Sequence, residues 1–293
     1  GPEAEALAVT GGEITAVGST AEIKAMAAGA RVIDAKGATV LPGFIDSHVH
    51  LFSGGAELNF LNLYEVSGAD ALAAAIADYS TNRPDDALLF ASAIDYQIFG
   101  DRPITRQDLD AASPDRPFAA MTSDHHTVYA NTKALEMAGL LHGREVAEGS
   151  EVVMGADGTA TGELLEAAAF EPVLALSPYG GRELLGMTTG ANPIPAPTKA
   201  ERERDKDALA AGLAHCASHG ITSLHNMDGN FYQLELLAEL EAEGRLLCRT
   251  EVPMHLKHTD PVTRVDEALD MRAKYNSDML WCRRVKMFMD GVI

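Results

Sequence analysis

Two histidines one residue apart, His48-Val49-His50, have the residue types and spacing that most directly suggest chemistry in this chain. They close the run Leu41-Pro42-Gly43-Phe44-Ile45-Asp46-Ser47-His48-Val49-His50. In a strand, residues i and i+2 point to the same face, so the two imidazoles should stand side by side at the strand's end. Two neutral imidazoles on one rigid strand supply half of a four-coordinate metal site. The spacing alone fits equally well a pair of polar residues where a strand runs out into solvent. Asp46, two residues before His48 on the same face, is expected to be structural or to orient an imidazole rather than to bind metal.

A second candidate is Lys286, in Arg284-Val285-Lys286-Met287-Phe288-Met289-Asp290. Alternation puts Lys286, Phe288 and Asp290 on one face and Val285, Met287 and Met289 on the other. The apolar set suits packing against helices, which turns Lys286 and Asp290 inward. A buried lysine is costly as a cation, so its pKa falls and a neutral, nucleophilic amine results. The competing reading is a lysine paired with Asp290 or placed at a strand edge. Ser123-Asp124-His125-His126 and His225, at the end of a short apolar run, are the other polar candidates. His215 and His219 have the spacing of a helical metal pair, but Cys216 stands where a zincin helix needs glutamate, so they are read as surface residues. His255 and His258 are read as loop or rim residues.

The elements that must position these groups alternate in type. Ala6-Leu7-Ala8-Val9 and Glu13-Ile14-Thr15-Ala16-Val17 read as strands around a Thr10-Gly11-Gly12 turn, Ala21 to Ala28 as a helix, and Arg31-Val32-Ile33-Asp34 as a further strand. After His50, Ser53-Gly54-Gly55 is expected to break the pattern. The stretch from 56 to 200 is too long for an ordinary connection, so it reads as an inserted α+β lobe. Gly190 to Pro197 reads as its flexible exit. Beyond it, helices over 199–219, 231–243 and 262–275 alternate with strands over 221–227, 247–254 and 283–290, which argues for a parallel α/β architecture.

The run from Val40 to His50 resembles the first-strand signature of the amidohydrolase superfamily. Three later stretches resemble the branch that contains N-substituted formamide deformylase. They are Ser123-Asp124-His125-His126 leading to Asn131-Thr132-Lys133-Ala134-Leu135, then Gly158-Thr159-Ala160-Thr161-Gly162-Glu163-Leu164-Leu165-Glu166, then Val285-Lys286-Met287-Phe288-Met289-Asp290-Gly291. The resemblance implies a (β/α)8 TIM-like barrel, with residues 1–42 as part of a small β-sandwich domain. Residues 43–55 and 201–293 would be barrel strands one to four, with the 56–200 lobe over the barrel mouth. The sequence would then hold about half a barrel and belong to a longer chain or an assembly.

The resemblance also assigns roles. His48, His50 and Lys286 become ligands of one or two divalent ions, zinc by default, with Lys286 carbamylated by carbon dioxide so that it can bridge two metals. Lys286, His125 and Asp124 become candidate catalytic residues, and His126, His225 and Asp290 candidate substrate contacts. The implied activity is hydrolysis of a C–N bond in an amide, formamide or cyclic amide by metal-activated water. A non-catalytic barrel relative, or an inactive fragment that binds a ligand or partner, is the competing expectation.

Composition sets outer bounds. Forty-three acidic and 23 basic residues give a net charge of -20, which argues against nucleic acid and anionic membrane surfaces as partners. A small-molecule substrate is expected, with homo-oligomerisation left open. The three cysteines, Cys216, Cys248 and Cys282, have no close pairing and suggest reduced thiols in the cytoplasm. No Gly-x-Gly-x-x-Gly, Walker loop or Gly-x-Ser-x-Gly supports nucleotide binding or a serine hydrolase.

Overall fold

The computed structural model describes residues 4–288. Met289 and Asp290, the end of the expected fourth strand, lie outside the described residues. The chain divides into two compact units, Gly1–Pro42 and Gly43–Ile293.

In the first unit, strands Ala6–Thr10 and Glu13–Gly18 pair antiparallel. Gly11 and Gly12 turn the chain with φ of 60° and 85°, a left-handed pair that glycine adopts without strain. Helix Thr20–Met26 starts at a capping box between Ser19 and Glu22. The strand expected at Arg31–Asp34 does not form. A strand needs a neighbouring ladder, and among the described residues this segment has none, whatever its β propensity. A hairpin and a helix are therefore what the described residues of this unit form, and the expected second sheet is not among them.

The second unit holds the expected parallel sheet. Strands Phe44–Val49, Ile221–Asn226, Arg249–Glu251 and Leu280–Trp281 lie side by side in chain order, each parallel to the next. Helix Lys199–Ser218 precedes the second strand and helix Phe231–Ala242 follows it. Their apolar faces meet the sheet in one core that includes Leu209, Leu213, Leu224, Leu234, Leu237 and Val252. The third strand, expected to be continuous, is interrupted at Val252-Pro253, because proline has no N–H to give the ladder. Pairing resumes as Met254–His255 alongside Val285–Lys286, also parallel. Val285 and Met287 each keep 42% of their surface exposed, so the packing against helices expected for them is not seen among the described residues.

Between the first two parallel strands runs a separate sheet of six. Its order is Leu61–Asn62, Leu89–Ile94, Phe118–Thr122, Thr127–Ala130, Ala160–Leu165, Glu151–Met154, the first three parallel and the rest antiparallel. Asn131 fixes its centre. Fully buried, it accepts from the amides of Phe118 and Ala134 and donates to the carbonyls of Ser113 and Arg116. That is all the hydrogen bonding one side-chain amide can use.

One loop expectation is corrected. Ser53-Gly54-Gly55 lies inside helix Leu51–Glu57, where a Cβ on Gly55 would stand 2.2 Å from the Ala208 carbonyl oxygen. Glycine is there so that this helix can press against Lys199–Ser218. The 190–197 segment is anchored at its start, where Asn230 donates to the Ala191 carbonyl and Asn192 accepts from the Tyr232 amide, while Ile194 further along is 95% exposed.

Candidate metal centre

The first parallel strand ends at Val49, and His50 opens helix Leu51–Glu57. The His48 and His50 rings lie 5.3 Å apart between centroids with an interplanar angle of 71°, so the expected side-by-side placement is present. Burial, then the positive charge of Lys286, holds His48 below the ordinary imidazole value, toward the neutral form that can donate a lone pair to a metal. His50 Nδ1 lies 2.6 Å from Oδ1 of Asp228, a residue with no exposed surface. Asp46 instead accepts from the backbone amide of His48 at 3.0 Å. The carboxylate that touches an imidazole is thus Asp228, from the end of the second strand, while Asp46 bonds the backbone, which fits the structural of its two expected parts.

The loop that carries Asp228 is held by its own residue types. Fully buried Asn226 accepts from the Leu51 amide and donates to the Asp228 carbonyl and to Gln233 Oε1. The Met227 amide donates to the Val49 carbonyl at 2.7 Å, which ties the ends of the first two strands together. A Cβ on Gly229 would stand 1.9 Å from the Pro253 carbonyl oxygen, so only glycine fits. Asn230 caps helix Phe231–Ala242 through the Gln233 amide.

Lys286 lies beside His255 in the paired short strands, half-buried, with Nζ 4.6 Å from the centroid of the Phe288 ring. His255, expected on a loop or rim, is a strand residue only 2% exposed, and its Nδ1 lies 3.1 Å from the Gly186 carbonyl oxygen. Burial is the main cause that lowers its pKa. His225 Nε2 lies 3.4 Å from Glu251 Oε2, and Arg284 Nε lies 3.0 Å from the same oxygen. His215 and His219 are exposed, their rings 4.5 Å apart at a helix end, in line with the surface reading.

The lobe candidates divide. His125, with φ of 65°, places Nε2 3.6 Å from Glu57 Oε1. Both line a narrow cavity with Ser53, Phe60, Met121 and Glu183. Burial raises the Glu57 carboxyl, against the opposing charge of His125. Burial likewise pushes Glu183, whose Oε2 has no partner among the described residues, up to about 7. His126 pairs with Glu166 at 2.9 Å. Asp124 is used by its own turn: it accepts from Thr122, Tyr96 and the His126 amide, and these bonds outweigh burial to hold its pKa below the usual value. A broader cleft of about 480 Å³, lined by Tyr79, Arg83, Glu203 and Arg204 among others, includes none of the candidate site residues.

Residues 31–293 match the model of the amidohydrolase family. The chain belongs to that family. Among similar curated proteins, the putative amidohydrolase YtcJ of Bacillus subtilis is 24% identical over the whole chain and 52% of its own length. N-substituted formamide deformylase of Arthrobacter pascens is 33% identical over 57% of the chain and 31% of its own length. Protein LONG AFTER FAR-RED 3 of Arabidopsis thaliana is 31% identical over 57% of the chain and 29% of its own length. The chain thus spans about half, or less, of the curated relatives it matches. A metal-dependent hydrolase from Pyrococcus furiosus shares the fold, with a TM-score of 0.64 and 23% identity over 98% of the chain and 52% of that structure.

This amidohydrolase chain sets two imidazoles side by side at the end of its first parallel strand, while Lys286 lies in the separate pair of short strands and its charge acts on His48. The donors suit a divalent ion: nitrogen ligands, one ring held by a carboxylate. Among the described residues, no group of three or more His, Cys, Asp or Glu is arranged to hold a metal, so His48 and His50 could supply only part of a ligand set. Also among the described residues, no helix is long and apolar enough to cross a membrane.

Proposed function

We propose that the protein hydrolyses a carbon–nitrogen bond of an amide, formamide or cyclic amide at a divalent metal centre that includes His48 and His50. The observation that carries this reading is the pair of rings 5.3 Å apart at the C-terminal end of a parallel strand, the end at which barrel enzymes place their chemistry. Membership of the amidohydrolase family supports the reaction class, and the formamide deformylase likeness makes N-substituted formamides the first substrates to try.

In this reading the four parallel strands are the first four of a (β/α)8 barrel, and residues 56–200 form a lobe over its mouth. A bound zinc ion would lower the pKa of water and polarise the substrate carbonyl. His48 and His50 hold it through ring nitrogens. Lys286 would add an oxygen ligand as a carbamate, its Nζ giving up a proton and forming an N–C bond with carbon dioxide. His125, His126 and His225 would orient the substrate; Asp290, the other expected contact, lies outside the described residues. Unpaired Cys216, Cys248 and Cys282 suit a reducing, cytoplasmic home.

The test is a screen of N-formyl and N-acyl substrates with the natural full-length protein, before and after metal removal by a chelator. Hydrolysis that disappears on chelation and returns with zinc supports the proposal. Activity indifferent to chelation, or none on any C–N substrate with metal bound, overturns it.

A further inference from the structure

Asp228 has no part in the proposal above, yet its placement is specific. It lies 178 residues from His50 in sequence, and its carboxylate reaches the His50 ring at 2.6 Å. A carboxylate only accepts hydrogen bonds, so the ring nitrogen facing it, Nδ1, is the one that carries a proton. The lone pair then sits on Nε2. The His50 side chain keeps 31% of its surface exposed while Asp228 keeps none, so the carboxylate grips the ring from the protein side.

The backbone on both sides of Asp228 is fixed. The Met227 amide donates to Val49, the Asp228 carbonyl accepts from Asn226, and the Gly229 amide donates to the Gly186 carbonyl at 3.0 Å. The carboxylate therefore cannot drift from the ring without breaking a hydrogen bond. Its other oxygen, Oδ2, is buried with no partner among the described residues. A group kept only to stabilise the fold would be expected to satisfy both oxygens, because a buried, unpaired acceptor opposes folding. The single bond it does make is to His50.

We infer that Asp228 is a positioning residue for a metal-binding imidazole: it holds His50 in the tautomer and orientation that turn Nε2 toward the metal. This inference rests on the metal-centre reading and extends it to a residue outside the ligand set. Carboxylates that hold ligating histidines affect metal affinity by about 10- to 100-fold.

The test is zinc affinity of the natural full-length protein by competition with a chromophoric chelator, together with the visible spectrum of the cobalt-substituted form. Asp228→Ala should weaken zinc binding about 10- to 100-fold and change the cobalt spectrum. The thermal midpoint of the metal-free protein should be unchanged or raised. Asp228→Asn, which keeps an oxygen able to accept from Nδ1–H, should recover part of the affinity. Wild-type affinity in Asp228→Ala overturns the inference alone. An affinity loss in both variants matched by a lower metal-free midpoint also overturns it, since that is a merely structural part. A wild-type protein that takes up no zinc overturns the metal-centre reading and this inference together.

Discussion

Gly186 and Asp228 approach so closely that a Cβ on Gly186 would stand 3.0 Å from the Asp228 Cβ. The same Cβ would stand 2.5 Å from Gln233 Nε2. Gly186 lies in helix Arg182–Thr188, where alanine is intrinsically favoured over glycine by about 1 kcal/mol. Here the contact decides the sign. Gly186→Ala should push Asp228 or Gln233 aside, lowering both the thermal midpoint and the affinity for zinc. A variant as stable as wild type with unchanged zinc affinity would show that the loop gives way freely.

Glu183, one turn earlier on that helix, gives the protein a pH dependence. Burial lifts its carboxyl from 4.5 to about 7. The folded state keeps a proton that the unfolded state has released, so stability is greatest below pH 4.5 and falls as pH rises through 7. The full loss is about 3 kcal/mol, at 1.36 kcal/mol per pKa unit. Glu183→Gln mimics the protonated form and should be more resistant to denaturant than wild type at pH 8, with the gap closing toward pH 5. A gap that stays constant between those pH values contradicts the assignment.

Asp205 anchors the same helix. It accepts from Arg182 Nε at 2.6 Å, from Arg182 Nη2 at 2.8 Å and from the Tyr232 hydroxyl at 2.6 Å, with no exposed surface. Asp205→Ala leaves the buried guanidinium with only Glu201, 3.4 Å from Nη1, as counter-charge and should cost up to about 3–5 kcal/mol. Chemical denaturation measures it, and a loss below about 1 kcal/mol, typical of an exposed pair, would mean that Arg182 finds another partner.

If Lys286 carries the proposed carbamate, Lys286→Ala should abolish hydrolysis, because the ligand it would supply is lost with it. Short carboxylic acids added to the variant should restore part of the activity by filling the vacated space. A crystal structure of the metal-loaded enzyme with unmodified Lys286 remote from the metal would refute the carbamate.

Much of this was legible from local pattern. The parallel strands at 44–49 and 221–226 and the helix that precedes the second of them are legible that way, and the two histidines follow from alternation within one strand. What escaped the sequence depends on long-range partners. Arg31–Asp34 has the composition of a strand but no ladder to join. Gly54-Gly55 reads as a breaker, and only the carbonyl of Ala208 against Gly55 shows why glycine sits inside a helix. Asp228 looked like one more polar residue after a strand. Its signal was positional, since a carboxylate just past the C-terminal end of a parallel strand stands where barrel chemistry gathers. Its partner, 178 residues away, could not be read from spacing.

The most direct test of the metal centre is elemental analysis of the purified full-length protein beside a variant carrying His48→Ala and His50→Ala together. The account predicts bound divalent metal in the wild type, zinc first among candidates, and its loss with activity from the double variant. Wild-type metal stoichiometry in that variant would contradict the assignment of these two imidazoles as ligands.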